Sequence, residues 1–280
     1  MKVLVAVDME GIAGVVTSSQ TSPGDPDYAH ARAWMIGEAN AAVRGAFAAG
    51  ANEVVVSDSH GGNGCRNMLP HELDERATLM TGSPKTLDGE QGLGADCDAL
   101  ILLGMHTRNG TRGVVSHTIH GLVVDEVRIN GVPFGEVGLL AALAGHYGVP
   151  TVLVAGDDLT AREAEGLMPW VNTVTVKWAL SRNAARTLPP AVAARRIEEA
   201  TEKALVGIDA ARCLGVSTPV TMEMDFMNSG AADGAAAIPG VERISGSGIS
   251  YVAEDFAEAS RMMSACIGGA WSVTRAWLGR

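Results

Sequence analysis

The sequence predicts an α/β protein in which a parallel or mixed sheet is flanked by helices and followed by a second, smaller α+β lobe. Four short β-branched runs, Lys2–Val7, Glu53–Ser57, Ala99–Leu103 and Thr151–Ala155, are apolar on both faces, as strands buried inside a parallel sheet are. A helical pattern lies between the first two, and strand–helix–strand order implies right-handed crossovers with the strand C-termini on one edge. A 47% hydrophobic content over 280 residues supplies enough apolar surface for a packed core.

Between the first two runs, Asp25 is placed to cap a helix, Pro26 suits its first position, and Gly50 can end it. Met35, Ala39, Ala42, Val43 and Ala46 then share one helical face. Leu122–Ile129, with Val123, Asp125, Val127 and Ile129 in alternation, reads as a half-exposed strand ending in an Asn130-Gly131 turn. Glu136 follows and opens a helical pattern through Leu140, Ala142 and Leu143 to His146. After Asp158, Thr160-x-x-Glu163 has the form of a capping box for another helix. From Asn172 onward the pattern loosens. Thr173–Trp178 reads as a strand, Pro189–Val206 as an Ala-rich helix, Val220–Phe226 and Gly248–Ala253 as two strands, and Ala253–Trp271 as a closing helix. We place the boundary near residue 170, dividing the chain into 1–170 and 171–280.

Charge and composition narrow the function. Lys+Arg total 21 against Asp+Glu 32, a net charge of −11, and no basic run offers the footprint that a phosphate backbone requires. Nucleic acid and anionic membrane are thereby disfavoured as partners. No stretch approaches the roughly 20 apolar residues of a spanning helix, and Val3–Val7 is too short for a signal-peptide core. Cys65, Cys97, Cys213 and Cys266 stand far apart without CxxC pairing, which fits a reducing cytoplasm better than a disulfide framework or a zinc knuckle.

The tails of the first three strands carry the chemistry. One ends in Asp8 and Glu10, the next in Asp58 and His60, the third in His106. In an open α/β sheet, ligands bind beyond the carboxyl ends of the strands, so these groups can converge despite their separation in sequence. With Glu136 from the turn-to-helix junction, the cluster holds two imidazoles and three carboxylates, a mixture suited to Zn²⁺ or Mn²⁺ more than to the all-oxygen sites of Mg²⁺ and Ca²⁺. Five ligands exceed the three protein ligands of one catalytic zinc but suit a pair of ions sharing a carboxylate, for which Asp8 is the choice. Taken singly, an acidic residue after a strand is commonly a helix cap, and one strand-end histidine is ordinary. Recurrence on three successive strands is what makes the case.

The segments VDMEGIAGV (7–15), SDSHG (57–61), GMHTRNGTRGVVSHT (104–118), INGVPFGEVGLLAALAG (129–145), VAGDD (154–158) and VKWALSRNAA (176–185) closely resemble the zinc-dependent D-aminopeptidase family of the dipeptide-operon type, peptidase family M55. The similarity runs in register from Met1 to about residue 190, and more loosely through FMNSG (226–230) and YVAEDFAEA (251–259). It implies that Asp8, Glu10, His60, His106 and Glu136 hold two Zn²⁺ per subunit and that His117 is the catalytic nucleophile or base. A near-neutral imidazole favours the base. It further implies hydrolysis of the N-terminal peptide bond of short peptides of the D-Ala-D-Ala type, by a ring-like homo-oligomer known as a decamer. On that footing, 1–170 is the metal-binding catalytic domain and 171–280 contributes to substrate site and oligomerisation. Alternatives are an amidase or L-aminopeptidase on the same site, or a noncatalytic metal-binding assembly protein. A phosphoesterase is disfavoured because no Gly-rich phosphate loop or Arg cluster accompanies the ligands.

Weaker candidates surround this set. Asp58 is placed either to orient a ligand histidine or to make an ordinary loop hydrogen bond. Asp157 and Asp158 read as strand-exit and capping residues, and Lys177, Arg182 and Asn228 as possible holders of a peptide carboxylate. His120 and Cys65 read as structural. The loops 18–28 and 61–70 diverge from the family pattern and are placed to shape substrate choice.

Overall fold

Strand β1 (Lys2–Val7) is apolar throughout because both of its faces are covered. Val3, Val5 and Val7 face a core shared with α1 (Tyr28–Ala48) and α4 (Pro190–Val206), while Leu4 and Ala6 face a second core that includes α2 (Glu136–His146). The computed structural model describes residues 1–85 and 96–279.

β1 pairs in parallel with β2 (Glu53–Asp58) on one side and β4 (Ala99–Met105) on the other. With β3 (Thr78–Met80), β7 (Thr151–Asp157), β8 (Asn172–Ser181) and β9 (Ala184–Thr187) they form a seven-stranded sheet of order β3-β2-β1-β4-β7-β8-β9. Only β8–β9 is antiparallel. The chain builds outward from β1 through β2 to β3, then restarts at β4 on the other side of β1. The crevice between β1 and β4 is therefore the topological switch point, where ligands of such sheets bind.

A second, wholly antiparallel sheet has the order β11-β12-β10-β5-β6, formed by β5 (Val124–Ile129), β6 (Val132–Phe134), β10 (Val220–Phe226), β11 (Glu242–Arg243) and β12 (Gly248–Ala253). Helices α5 (Ser229–Ala236) and α6 (Phe256–Trp277) pack together and against this sheet. Alternation along β10 is strict, with Val220, Met222, Met224 and Phe226 buried. The fold class is as predicted, but the sheets do not divide at residue 170. β8 and β9, beyond it, complete the first sheet, and the β5–β6 hairpin, before it, belongs to the second. Hydrophobic pattern marks a strand without naming its partner, and the partners here are distant in sequence.

Two predicted helix starts shift. Asp27 takes the position before helix α1 without a side-chain cap, and the Asp25 carboxylate accepts the Asp27 N–H at 3.0 Å in the turn leading in. Helix α3 (Asp158–Leu167) is capped by Asp157, whose Oδ1 accepts from the N–H groups of Leu159 at 3.0 Å and Thr160 at 2.7 Å. The expected capping box is absent because Glu163 turns away to accept the Arg108 N–H at 3.1 Å.

Glu38, inside α1, is fully buried, accepts the Ala13 N–H on Oε1 at 2.9 Å and leaves Oε2 without a partner. Burial pushes its carboxyl up to about 7, against the pull of the Ala13 N–H and of Lys177. A carboxyl that holds its proton more tightly when folded stabilises the fold below the unfolded pKa, and that contribution is lost as pH rises through about 7. Glu38→Gln keeps the acceptor and removes the titration. Denaturant melts should show the variant gaining on the parent progressively between pH 5 and 8, by about 2–3 kcal/mol at the upper end.

Candidate metal centre

The C-terminal ends of β1, β2 and β4 bring Asp8, Glu10, His60 and His106 together, and the first turn of α2 adds Glu136. Two glycines permit this convergence. Gly104 has φ +65°, and a Cβ there would stand 2.0 Å from the Asp8 carbonyl oxygen; a Cβ on Gly11 would stand 2.0 Å from that of Met105. The Gly11 N–H donates to the Gly104 carbonyl at 2.7 Å, so the tails of β1 and β4 run in contact. No side chain larger than hydrogen allows that approach.

Asp8 lies at the middle. Its Oδ1 is 3.1 Å from His60 Nδ1, and its Oδ2 is 3.3 Å from His106 Nε2. Glu10 Oε2 is 3.0 Å from the same nitrogen of His60, and Glu136 Oε1 is 3.2 Å from that of His106. Two half-sites result, Asp8–Glu10–His60 and Asp8–His106–Glu136, each with three side chains and sharing the Asp8 carboxylate.

The outer nitrogens of the imidazoles fix their tautomers. His60 Nε2 donates to the Thr21 carbonyl at 2.8 Å, and His106 Nδ1 to that of Thr107 at 3.0 Å. A carbonyl can only accept, so each outer nitrogen carries the hydrogen and each inner nitrogen turns a lone pair toward two carboxylates. That juxtaposition is repulsive unless a proton or a cation stands between. His106 Nε2 and Glu10 Oε2 are buried and make no hydrogen bond. Burial is the largest influence on these groups and opposes charge, yet the facing carboxylates, Glu10 with Asp8 and Glu136 with Asp8, hold His60 and His106 well above the usual imidazole range. The imidazoles in turn hold Asp8 below the usual carboxylate range and Glu136 down at about 2, again against burial. Ionised carboxylates facing inner imidazole nitrogens call for a positive charge between them, a proton in its simplest form, and a divalent cation fits the same place; the N/O donor set fits zinc.

His117 borders the second half-site. Its ring stacks on that of His106 with centroids 4.0 Å apart, and its Nε2 is 4.0 Å from Glu136 Oε1. Nδ1 donates to the Val115 carbonyl at 2.8 Å, leaving Nε2 as the acceptor facing the cleft. The loop that holds it is strained, since the β-branched Val115 and Ile119 have φ of 50° and 56°. Each such residue costs about 1–3 kcal/mol and persists only where its surroundings impose it. Here Val115 offers its carbonyl to His117, Ile119 donates its N–H to Glu136 Oε1 at 2.7 Å, and the Asp157 carboxylate accepts the Val114 N–H at 2.7 Å.

A cleft of about 820 Å³ opens over the cluster, within the usual range for small-molecule sites. Leu139, Leu140 and Leu143 of α2 and Met263 and Ile267 of α6 line it, together with Ser260, Ser264, His120 and Arg182. The α6 wall escaped the sequence analysis, although Ser260, Met263, Ser264 and Ile267 recur at helical spacing. His120 packs against Trp271 with the rings tilted by 38° and centroids 4.4 Å apart, so it packs as expected but also lines the cleft.

Other expectations change. Asp58 does not touch an imidazole; it accepts from the N–H of Met68 at 2.9 Å and the side-chain amide of Asn67 at 2.9 Å, which donates in turn to the His60 carbonyl at 2.7 Å. The orienting partner of His60 is the Thr21 backbone, which side-chain identity does not reveal. Asn228 caps α5, accepting the Ala231 N–H at 2.9 Å. Lys177 is buried and donates to the carbonyls of Glu10, Ile12 and Val15 at 2.5, 3.0 and 2.6 Å, so it pins the loop after β1 and has no amine left for a peptide. Burial brings its ammonium down to about 8, against the pull of nearby carboxylates led by Asp157. Lys177→Met strands three carbonyls at about 1–3 kcal/mol each. Urea denaturation should therefore show a loss of about 3 kcal/mol or more.

An open α/β sheet with a carboxylate–imidazole cluster at its switch point defines a class of enzyme-like α/β proteins with a candidate two-cation centre. The chain belongs to the peptidase M55 family of D-aminopeptidases, whose profile matches residues 1–265. It is 38% identical over 265 residues to a D-aminopeptidase of Bacillus subtilis (strain 168), covering 94% of this chain and 95% of that protein. It also superposes with a TM-score of 0.92, at 36% identity and over 97% of this chain and 98% of the other, on the Zn-dependent D-aminopeptidase DppA from Bacillus subtilis, a self-compartmentalizing protease.

Proposed function

We propose that this protein is a dinuclear-zinc aminopeptidase that releases the N-terminal residue of short peptides, a D-residue as in D-Ala-D-Ala. The observation that carries this is the pair of imidazole lone pairs, each aimed at two carboxylates on either side of Asp8. Asp8, Glu10 and His60 would hold one ion, and Asp8, His106 and Glu136 the other. Bound there, a zinc pair supplies Lewis acidity for a carbonyl and lowers the pKa of water toward about 7. Among the chain's own groups, His117 is the proton carrier. Its Nδ1–H is fixed on the Val115 carbonyl, so Nε2 accepts a proton from the attacking water and returns it to the leaving amine. The leucine and α6 walls suit apolar substrate surface.

Division of labour would follow the sheets, the first supplying the strand-end ligands and the second, with α6, the substrate wall. We further place the protein in a homo-oligomer, as a decamer. The exposed apolar side chains Val252, Val273 and Trp277 suit burial between subunits. No helix among the described residues is long and apolar enough to cross a membrane, and none of the four cysteines is in a disulfide, which agrees with a reducing cytoplasm. The test is elemental analysis of the purified protein coupled to alanine release from D-Ala-D-Ala and L-Ala-L-Ala. Two zinc per chain and faster release from the D-dipeptide are expected; absence of both, or a preference for the L-dipeptide, would reject the proposal.

A further inference from the structure

Among the described residues lining the cleft, Arg182 is the one lysine or arginine, and Asp8, Glu10 and Glu136 line it too, in a chain of net charge −11. It lies in the turn between β8 and β9, on the same edge of the sheet as the strand-end cluster. Backbone and side chain both fasten it to the segment before His117. Its carbonyl accepts the Val115 N–H at 2.8 Å, and its Nε donates to the Ser116 carbonyl at 3.2 Å. Its two Nη groups have no partner among the described residues, and no carboxylate lies within ion-pairing distance of the guanidinium there. Arg128 is a contrast, meeting Glu223 at 3.3 Å and Asp225 at 2.8 Å.

A guanidinium held by one nitrogen and open at the other two is a fork for a carboxylate. The Ser116 carbonyl that anchors the guanidinium belongs to the residue directly before His117. Arg182 and His117 both line the cleft, and each residue added to a substrate lengthens the span between its amine end and its carboxylate by up to about 3.6 Å. We propose that Arg182 binds the C-terminal carboxylate of the peptide substrate and so sets a preference for dipeptides with a free C-terminus. This rests on the aminopeptidase function proposed above. It assigns the carboxylate a place on the opposite side of the scissile bond from the free amine. Blocked or longer chains would forfeit that contact.

The test compares D-Ala-D-Ala with D-alaninamide, whose leaving group has no carboxylate, in the parent, Arg182→Ala and Arg182→Lys. Arg182→Ala should lower kcat/KM on the dipeptide about 10- to 100-fold, mainly through KM, as expected for loss of a charge-assisted contact. Turnover of D-alaninamide should change by less than about 3-fold. Arg182→Lys should recover part of the loss, because a point charge replaces the fork. Equal losses on both substrates would overturn the proposal and reduce Arg182 to a prop for the His117 loop, and unchanged dipeptide kinetics would overturn it outright. A parent protein inert on both substrates would instead strike the aminopeptidase function, and this inference with it.

Discussion

Asp8→Asn should remove at least one of two zinc equivalents and lower D-Ala-D-Ala hydrolysis by about 10³-fold or more. The magnitude follows from several kcal/mol of Lewis-acid stabilisation at 1.36 kcal/mol per decade of rate. Asp8 is singled out because its two oxygens face different imidazoles, at 3.1 and 3.3 Å. Asparagine keeps the shape but offers one oxygen and an amide NH₂, which can serve a cation on one side only. Glu10 and Glu136 each face one imidazole, so replacing either should empty one half-site and spare part of the other. Elemental analysis after dialysis, read beside alanine release, checks the prediction. Two retained zinc ions with parental turnover would dismiss Asp8 as the shared ligand.

His117→Ala should lower kcat by about 10²–10⁴-fold, the usual contribution of a positioned acid–base group, while zinc stays at two per chain. That separation is the informative part. His117, His106 and Glu136 present donor atoms within 4.8 Å of one another, so a histidine that holds metal and one that moves protons occupy nearly the same place. Turnover and zinc falling together would make His117 a ligand; turnover falling alone makes it a catalytic group, base or nucleophile. Parental turnover would remove it from the chemistry altogether. The strained Val115 and Ile119 flanking it argue that this loop is held for the position of its imidazole.

The sequence by itself determined the two-faced apolar strands of the first sheet, the Asn130-Gly131 hairpin, and the recurrence of Asp8, Glu10, His60 and His106 at strand ends. Each is a local property, since period, β-branching and turn residues are written in consecutive positions. Which strand lies beside which was not written there. The placement of β8 with the first sheet and β5 with the second depends on long-range packing that an apolar run does not encode. The same limit governed the site. Side-chain ligands could be nominated from residue type, whereas the Thr21, Thr107 and Val115 carbonyls that fix the imidazole tautomers are backbone atoms every residue possesses. Lys177 and Arg182 show the point from the other side: two cations five residues apart on one hairpin, alike in sequence as carboxylate candidates. Tertiary structure buried one against three carbonyls and left the other open to the cleft, because burial and partners, not charge, decide what a cation is free to bind.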